Sequence, residues 1–236
     1  MVPTSRRIRK PKPASIVSVS RIHALPTRHP HRTAALSAAT EHLATADERL
    51  AEVIGRIGPC GLRREPGGFG QVFRAILSQQ LSGKAAATIR GRIVAACGGR
   101  VTPEHVLALP DRAFAEAGVS RPKARYLRAL AETVRDDPRF FERLPKLSDE
   151  AAIERLTSLL GVGQWTAEMY LIFSLGRLDV LPLGDVSILA AAAELHGVRR
   201  SRILKRLPRL AEPWRPYRSV AVWYLYAHLD TRRAQP

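Results

Sequence analysis

From about residue 36 to residue 230 the apolar residues recur at intervals of three and four, with Gly and Pro interrupting at spacings that suit short connections. A chain with that period buries its apolar stripes against other helices, so the expected fold class is all-α. Helices are expected over Thr40 to Ile57, Phe69 to Leu81, Gly83 to Cys97, Pro103 to Ala108, Asp111 to Ala117, Arg121 to Asp136, Asp149 to Leu159, Gln164 to Ser174, Val186 to His196 and Glu212 to Asp230. Strand alternation is confined to a weak pattern at Ile16 to Val19. Local signals agree with the helices: Ser148 precedes Asp149 and Glu150, Thr102 precedes Pro103, and Gly176 ends an apolar segment. The most apolar stretch, Val180 to Leu195, is broken by Asp185 and Glu194, so no run is long enough to span a membrane.

The 236 residues suffice for one substantial core or two small lobes, and they carry a formal charge of +17. On charge alone, a nucleic-acid partner is favoured over an anionic membrane. The first forty residues hold no Asp or Glu but contain Arg6, Arg7, Arg9, Lys10, Lys12, Arg21, Arg28 and Arg32 among Pro and Ser. Residues 1–35 therefore read as a disordered basic arm ahead of a folded domain over 36–236. Such an arm suits a DNA-tracking tail, an Arg-rich organellar targeting segment or a misplaced start of translation, and it lacks the apolar core of a secretory signal. With the arm discounted the rest is still basic. Cys60 and Cys97 are too few for a disulfide framework or a four-cysteine metal site, so a reducing compartment is expected: the cytoplasm and nucleoid of a bacterium, or the nucleus of a eukaryote.

The stretch Leu159-Leu160-Gly161-Val162-Gly163-Gln164-Trp165-Thr166-Ala167 lies between two amphipathic helical patterns. Two glycines around one apolar residue let helices turn back tightly and expose backbone N–H groups at the head of the second. Those donors and the positive end of the helix dipole suit a DNA phosphate. Gly-Val-Gly alone is common in turns, whereas the longer Leu-x-Gly-Val-Gly-x-x-Thr-Ala pattern is far more specific.

With that motif the sequence resembles the helix-hairpin-helix DNA glycosylase superfamily. In that family a Gly/Pro-rich loop ending in Asp follows the hairpin by about one helix, and Leu181-Pro182-Leu183-Gly184-Asp185 stands in that place. An Asp before a helix is ordinarily an N-cap; the resemblance implies that Asp185 is also the catalytic carboxylate. Phe73-Arg74-Ala75-Ile76-Leu77-Ser78-Gln79-Gln80-Leu81-Ser82-Gly83-Lys84-Ala85-Ala86 resembles the segment of 3-methyladenine glycosylases that faces the DNA gap, and Val119-Ser120-Arg121-Pro122-Lys123-Ala124-Arg125-Tyr126-Leu127 their following loop and helix. The resemblance covers roughly residues 36–230. It implies two helical lobes with the DNA cleft between them, and the hairpin and Asp185 at the cleft's mouth. DNA contacts would come from Gln79, Gln80, Ser82, Lys84, Gly161, Val162, Gly163 and Thr166, with Gln80 as the wedge that fills the space left by a flipped nucleotide.

Where bifunctional members carry a hairpin Lys, this sequence has Trp165, which cannot form a Schiff base. The cysteine cluster of endonuclease-type members is also absent. The resemblance therefore points to the alkylation-repair branch, similar to bacterial 3-methyladenine glycosylase II and its yeast relatives: a monofunctional N-glycosylase that flips and excises alkylated purines from double-stranded DNA, as a monomer and away from membranes. A cationic purine stacks well on electron-rich rings, so Trp165 and Tyr226 are the expected pocket walls, with Met169 where relatives often have an aromatic. No cofactor or metal is required, although a monovalent cation at the hairpin backbone is compatible with the resemblance. The run Arg199, Arg200, Arg202, Lys205, Arg206 and Arg209 reads as a solvated helix face or as a phosphate grip, and His196 as a helix C-terminal residue. Two alternatives stay open: a non-catalytic module that binds damaged DNA, and a glycosylase for oxidised or mismatched bases.

Overall fold

A computed structural model describes residues 30–233, with side chains over 34–232. All regular structure among them is helical: α1 (Pro30–Ala46), α2 (Glu48–Ile57), α3 (Phe69–Ser78), α4 (Gly83–Ala96), α5 (Pro103–Ala108), α6 (Asp111–Ala117), α7 (Arg121–Asp136), α8 (Asp149–Thr157), α9 (Gln164–Tyr170), α10 (Val186–Leu195), α11 (Arg200–Leu210) and α12 (Arg218–Arg233). A single 3-10 turn (Leu144–Lys146) precedes α8, and a π-helical turn (Leu171–Leu175) continues α9. The strand pattern at Ile16 to Val19 and most of the basic arm lie outside the described residues. Positions 30–35 of the expected arm belong to the start of α1.

Two groups of helices share the work of burial. Helices α3 to α7 pack on one another, while α1, α2, α10, α11 and α12 form the second group; α8 and α9 lie between, α9 touching α3. The core is continuous through both groups, with Trp214, Trp223, Tyr224, Phe73 and Phe114 as its largest fully buried side chains. The clustered aromatics of α12 and its approach are thus mainly core, as their composition would suggest.

Caps explain most boundaries. Ser82, Thr102 and Ser148 accept from the backbone N–H groups of Ala85, His105 and Ala151 at the heads of α4, α5 and α8. The structure corrects two expected helices and adds a third that was not expected. The single helix over Thr40 to Ile57 breaks at Asp47, whose Oδ1 accepts from the Arg49 and Leu50 amides while Oδ2 accepts from the Trp214 indole at 2.7 Å. The final helix begins at Arg218 instead of Glu212, because Pro213 and Pro216 cannot supply helical N–H donors. Helix α11 is absent from the expected set, although its basic run reads as a helix face; Ile203 and Leu207 supply its buried stripe.

Candidate active site and DNA-facing hairpin

The loop that carries Asp185 is clamped before it reaches the helix. Arg218 donates to both carboxylate oxygens and the carbonyl of Asp179, at 2.7 to 2.9 Å. Ser219 closes the clamp, its N–H donating to the Leu178 carbonyl and its hydroxyl oxygen accepting from the Val180 N–H. The loop then turns through an Asp185 N–H bond to the Pro182 carbonyl at 3.0 Å and enters α10.

Asp185 is 5% exposed and sits where α9, α10 and α12 converge. Its Oδ1 accepts from the Ser187 and Ile188 amides at 2.8 and 3.0 Å, which is an N-cap. Its Oδ2 accepts from the Trp165 indole and the Tyr226 hydroxyl, both at 2.5 Å. Met169 lies beside them, its sulfur 3.7 Å from the Tyr226 oxygen. The four residues expected to share a site are therefore together. Trp165 and Tyr226 have a role that the sequence reading lacks: they are donors that fix the carboxylate. Tyr226 is buried, and burial foremost, with the Asp185 charge adding, pushes its phenol well above the ordinary value, so it remains a neutral donor. Trp165 and Met169 are half-buried, whereas Asp185 and Tyr226 are buried.

Glu168, three residues after Trp165, escapes sequence reasoning because an acid in an amphipathic helix reads as solvated. Here it is 5% exposed, with the Gln164 side-chain amide donating to it at 3.0 Å. Burial raises its carboxyl above the usual range; the Gln164 bond offsets this in part, and the Asp185 charge adds to the rise. A folded value above the unfolded one means that its stabilisation belongs to the protonated form and is lost as pH rises through the raised value. Glu168→Gln, shaped like the protonated acid, should therefore gain stability relative to the parent between mildly acidic and neutral pH. Melting temperatures at the two pH values read this directly, and a pH-independent difference would refute it.

The hairpin turns at Gly161, whose φ is 86°, and Gly163, with φ −94°, is the N-cap of α9. Val162 and Thr166 have buried side chains, so what they can offer a phosphate is backbone. Gly163 is exposed at the head of α9, which has no side-chain cap. Gln79 spans from the end of α3 to the hairpin, donating to the Gly161 carbonyl at 2.9 Å. That carbonyl is thereby already engaged. Gln80 is exposed in a left-handed conformation, φ 58°. Ser82 caps α4, and Lys84 projects from its first turn into solvent.

Lys123 is a second residue whose role the sequence does not reveal. Its amine donates to the Leu77 and Gln79 carbonyls at 2.7 and 2.6 Å, tying α7 to the end of α3, and burial lowers its pKa. A cavity of about 180 Å³ lies beside it, under Gln79, Gln80, Leu81 and Val119. Among the described residues no group of three or more His, Cys, Asp and Glu side chains could hold a metal ion, and no helix is long and apolar enough to cross a membrane.

Comparison with known proteins agrees with this geometry. The profile of the family described as "HhH-GPD superfamily base excision DNA repair protein" matches residues 73–216. The DNA-3-methyladenine glycosylase 1 of Schizosaccharomyces pombe is 34% identical over 197 residues, spanning 81% of this chain and 86% of that protein. The same yeast's alkylbase DNA glycosidase-like protein mag2 is 32% identical over 195 residues, spanning 80% and 91%. Among solved structures, a DNA-3-methyladenine glycosidase from Bacillus halodurans superposes with a TM-score of 0.74 at 36% identity, covering 84% of this chain and 91% of that one. Schizosaccharomyces pombe Mag1 in complex with abasic DNA superposes with a TM-score of 0.69 at 33% identity, covering 80% and 95%. The chain belongs to the HhH-GPD superfamily of base excision DNA repair proteins.

Proposed function

We propose that this protein is a monofunctional DNA glycosylase that flips alkylated purines of the 3-methyladenine and 7-methylguanine type out of duplex DNA and hydrolyses their glycosidic bond. The observation that carries this reading is the buried Asp185 carboxylate, fixed by four donors beside the hairpin helix. Asp47 is held in a similar way by its helix head and Trp214, but Asp185 stands at the hairpin helix α9 and adds the Tyr226 hydroxyl as a fourth donor. The names of the two solved relatives, a 3-methyladenine glycosidase and a 3-methyladenine glycosylase bound to abasic DNA, support the same substrate class. One copy suffices per lesion, since Trp165, Asp185 and Tyr226 all come from one chain.

An alkylated purine is already cationic, so its departure needs little protonation and leaves an oxocarbenium-like sugar. A preorganised carboxylate in a dry site stabilises that cation. A carboxylate has about four lone-pair positions, and here four donors occupy them. That arrangement favours electrostatic stabilisation over removal of a proton from water. Trp165, half-buried beside the carboxylate, offers an electron-rich face to the cationic base.

Incubation of the protein with methylated duplex DNA, followed by mass identification of the released bases, tests the reading. Free 3-methyladenine is expected, and no release of any alkylated purine would refute it. The product should be an intact abasic site, because the hairpin offers Trp165 in place of an amine and the Lys123 amine is tied to two carbonyls. Borohydride is then expected to trap no covalent complex with DNA. Efficient trapping would show a lyase that uses another amine, such as Lys84 or Lys123.

A further inference from the structure

Helix α11 carries charge that its own fold does not neutralise. Arg199, Arg200, Arg202, Lys205, Arg206 and Arg209 are all exposed, on and just before a helix whose buried side, Ile203 and Leu207, packs on α10. Among the described residues none of the six side chains has a carboxylate partner. The acids nearest in sequence are engaged elsewhere: Glu212 with Arg215, and Glu194 with Arg232.

The charges also oppose one another. Arg202 faces Lys205 and Arg206 at spacings of three and four, and Arg209 faces Arg206 and Lys205 in the same way, so like charges are neighbours on the helix surface. No acid stands in the first turn, where arginines meet the positive end of the helix dipole. Some basic groups elsewhere are paired, as in the network of Arg143 and Arg155 with Asp137, but no other helix among the described residues carries five such cations without a carboxylate partner. A face that is unfavourable in the free protein is relieved by a polyanion.

We propose that the outward face of α11 holds the phosphate backbone of undamaged duplex DNA, outside the lesion site; this rests on the glycosylase reading above. The six cations extend over about 15 Å of helix, and duplex DNA presents one phosphate charge per about 1.7 Å of its axis. Helix α10, ten residues long, separates Asp185 at its head from Arg199 and Arg200 beyond its end, again about 15 Å. Because that separation is short, the phosphates are those of the flank of the duplex being searched.

The test is the salt dependence of binding to undamaged duplex by the full chain carrying Arg202→Gln, Lys205→Gln and Arg206→Gln. Three lost contacts should make the slope of log affinity against log salt shallower by about 2.7, with an affinity loss of about tenfold or more at low salt. Arg135→Gln, Arg139→Gln and Arg143→Gln together change the net charge equally, on side chains already paired with acids, and should leave the slope nearly unchanged. A defect seen on long duplexes but not on one that just covers the lesion site assigns the flank. Loss of energy transfer between two separately labelled duplexes, with binding to one long duplex unchanged, would assign a second duplex and overturn the flank.

An unchanged slope, or the same change in the control variant, overturns the proposal. So does a variant that loses binding to phosphatidylserine vesicles while binding DNA normally. Single-turnover excision at saturating protein should stay at the parental rate, and its loss would place α11 in the lesion site instead. If the parent excises nothing, the glycosylase reading falls, while the slope still reports on α11.

Discussion

Replacing Asp185 by Asn should slow single-turnover release of 3-methyladenine by on the order of a hundredfold or more while binding to abasic-site DNA persists. The substitution removes the charge that faces the developing sugar cation but keeps the shape. It is not a silent change in the fold. The Asn oxygen has to stay on the Ser187 and Ile188 amides to cap α10, which turns the amide nitrogen toward the Trp165 indole and the Tyr226 hydroxyl. The hydroxyl can rotate and accept, whereas the indole can only donate. One buried donor is left unsatisfied, at about 1–3 kcal/mol, so melting temperature and abasic-site affinity must be measured beside the rate. A stable, DNA-binding variant that has lost the rate isolates the charge. Wild-type excision by that variant, after subtraction of the slow spontaneous loss of 7-methylguanine, would remove Asp185 from the mechanism.

The sequence exposes the parts of this site that rest on local pattern. Gly161 and Gly163 are legible because a tight turn and a helix head restrict residue type; Asp185 is legible locally only as an N-cap, and its candidacy as the catalytic carboxylate comes from the family resemblance. Helices α5, α6 and α7 are found at the expected bounds for similar reasons, with Thr102 and Pro103, Pro110 and Gly118, and Pro122 marking their ends. What the pattern misses is tertiary. Asp47 breaks an otherwise continuous helical period, and the indole that holds its second oxygen lies far along the chain. Asp185 repeats that arrangement, one oxygen on a helix head and the other on a tryptophan, but adds Tyr226. Nothing local distinguishes the structural pair from the candidate catalytic one. Glu168 and Lys123 likewise have ordinary surface chemistry in the sequence, and only burial and their partners give them a place in the site.

Alanine at Gly161 and at Gly163 should separate the two things the hairpin does. A Cβ at Gly161 would stand 2.5 and 2.6 Å from Cδ2 and Cγ of the Tyr126 ring, on a backbone whose φ of 86° already disfavours any other residue. Left-handed strain and overpacking together should destabilise Gly161→Ala by about 2–4 kcal/mol. Relief by backbone movement would drag the Gly161 carbonyl from Gln79, so the loop bearing Gln80 should shift with it and DNA affinity should fall. Shortening the ring in a Gly161→Ala, Tyr126→Ala pair should recover part of the packing contribution and none of the backbone strain. Gly163 is the opposite case: its φ of −94° suits any residue, and a Cβ there meets nothing within 4 Å. Gly163→Ala should therefore melt like the parent. If a phosphate seats on the uncapped head of α9, the added methyl crowds it, and affinity for duplex DNA should drop by about tenfold, equivalent to 1.4 kcal/mol. Thermal melts and duplex titrations of both variants decide the matter. A Gly163→Ala protein with parental stability and parental affinity would show that the phosphate does not approach the hairpin at that residue.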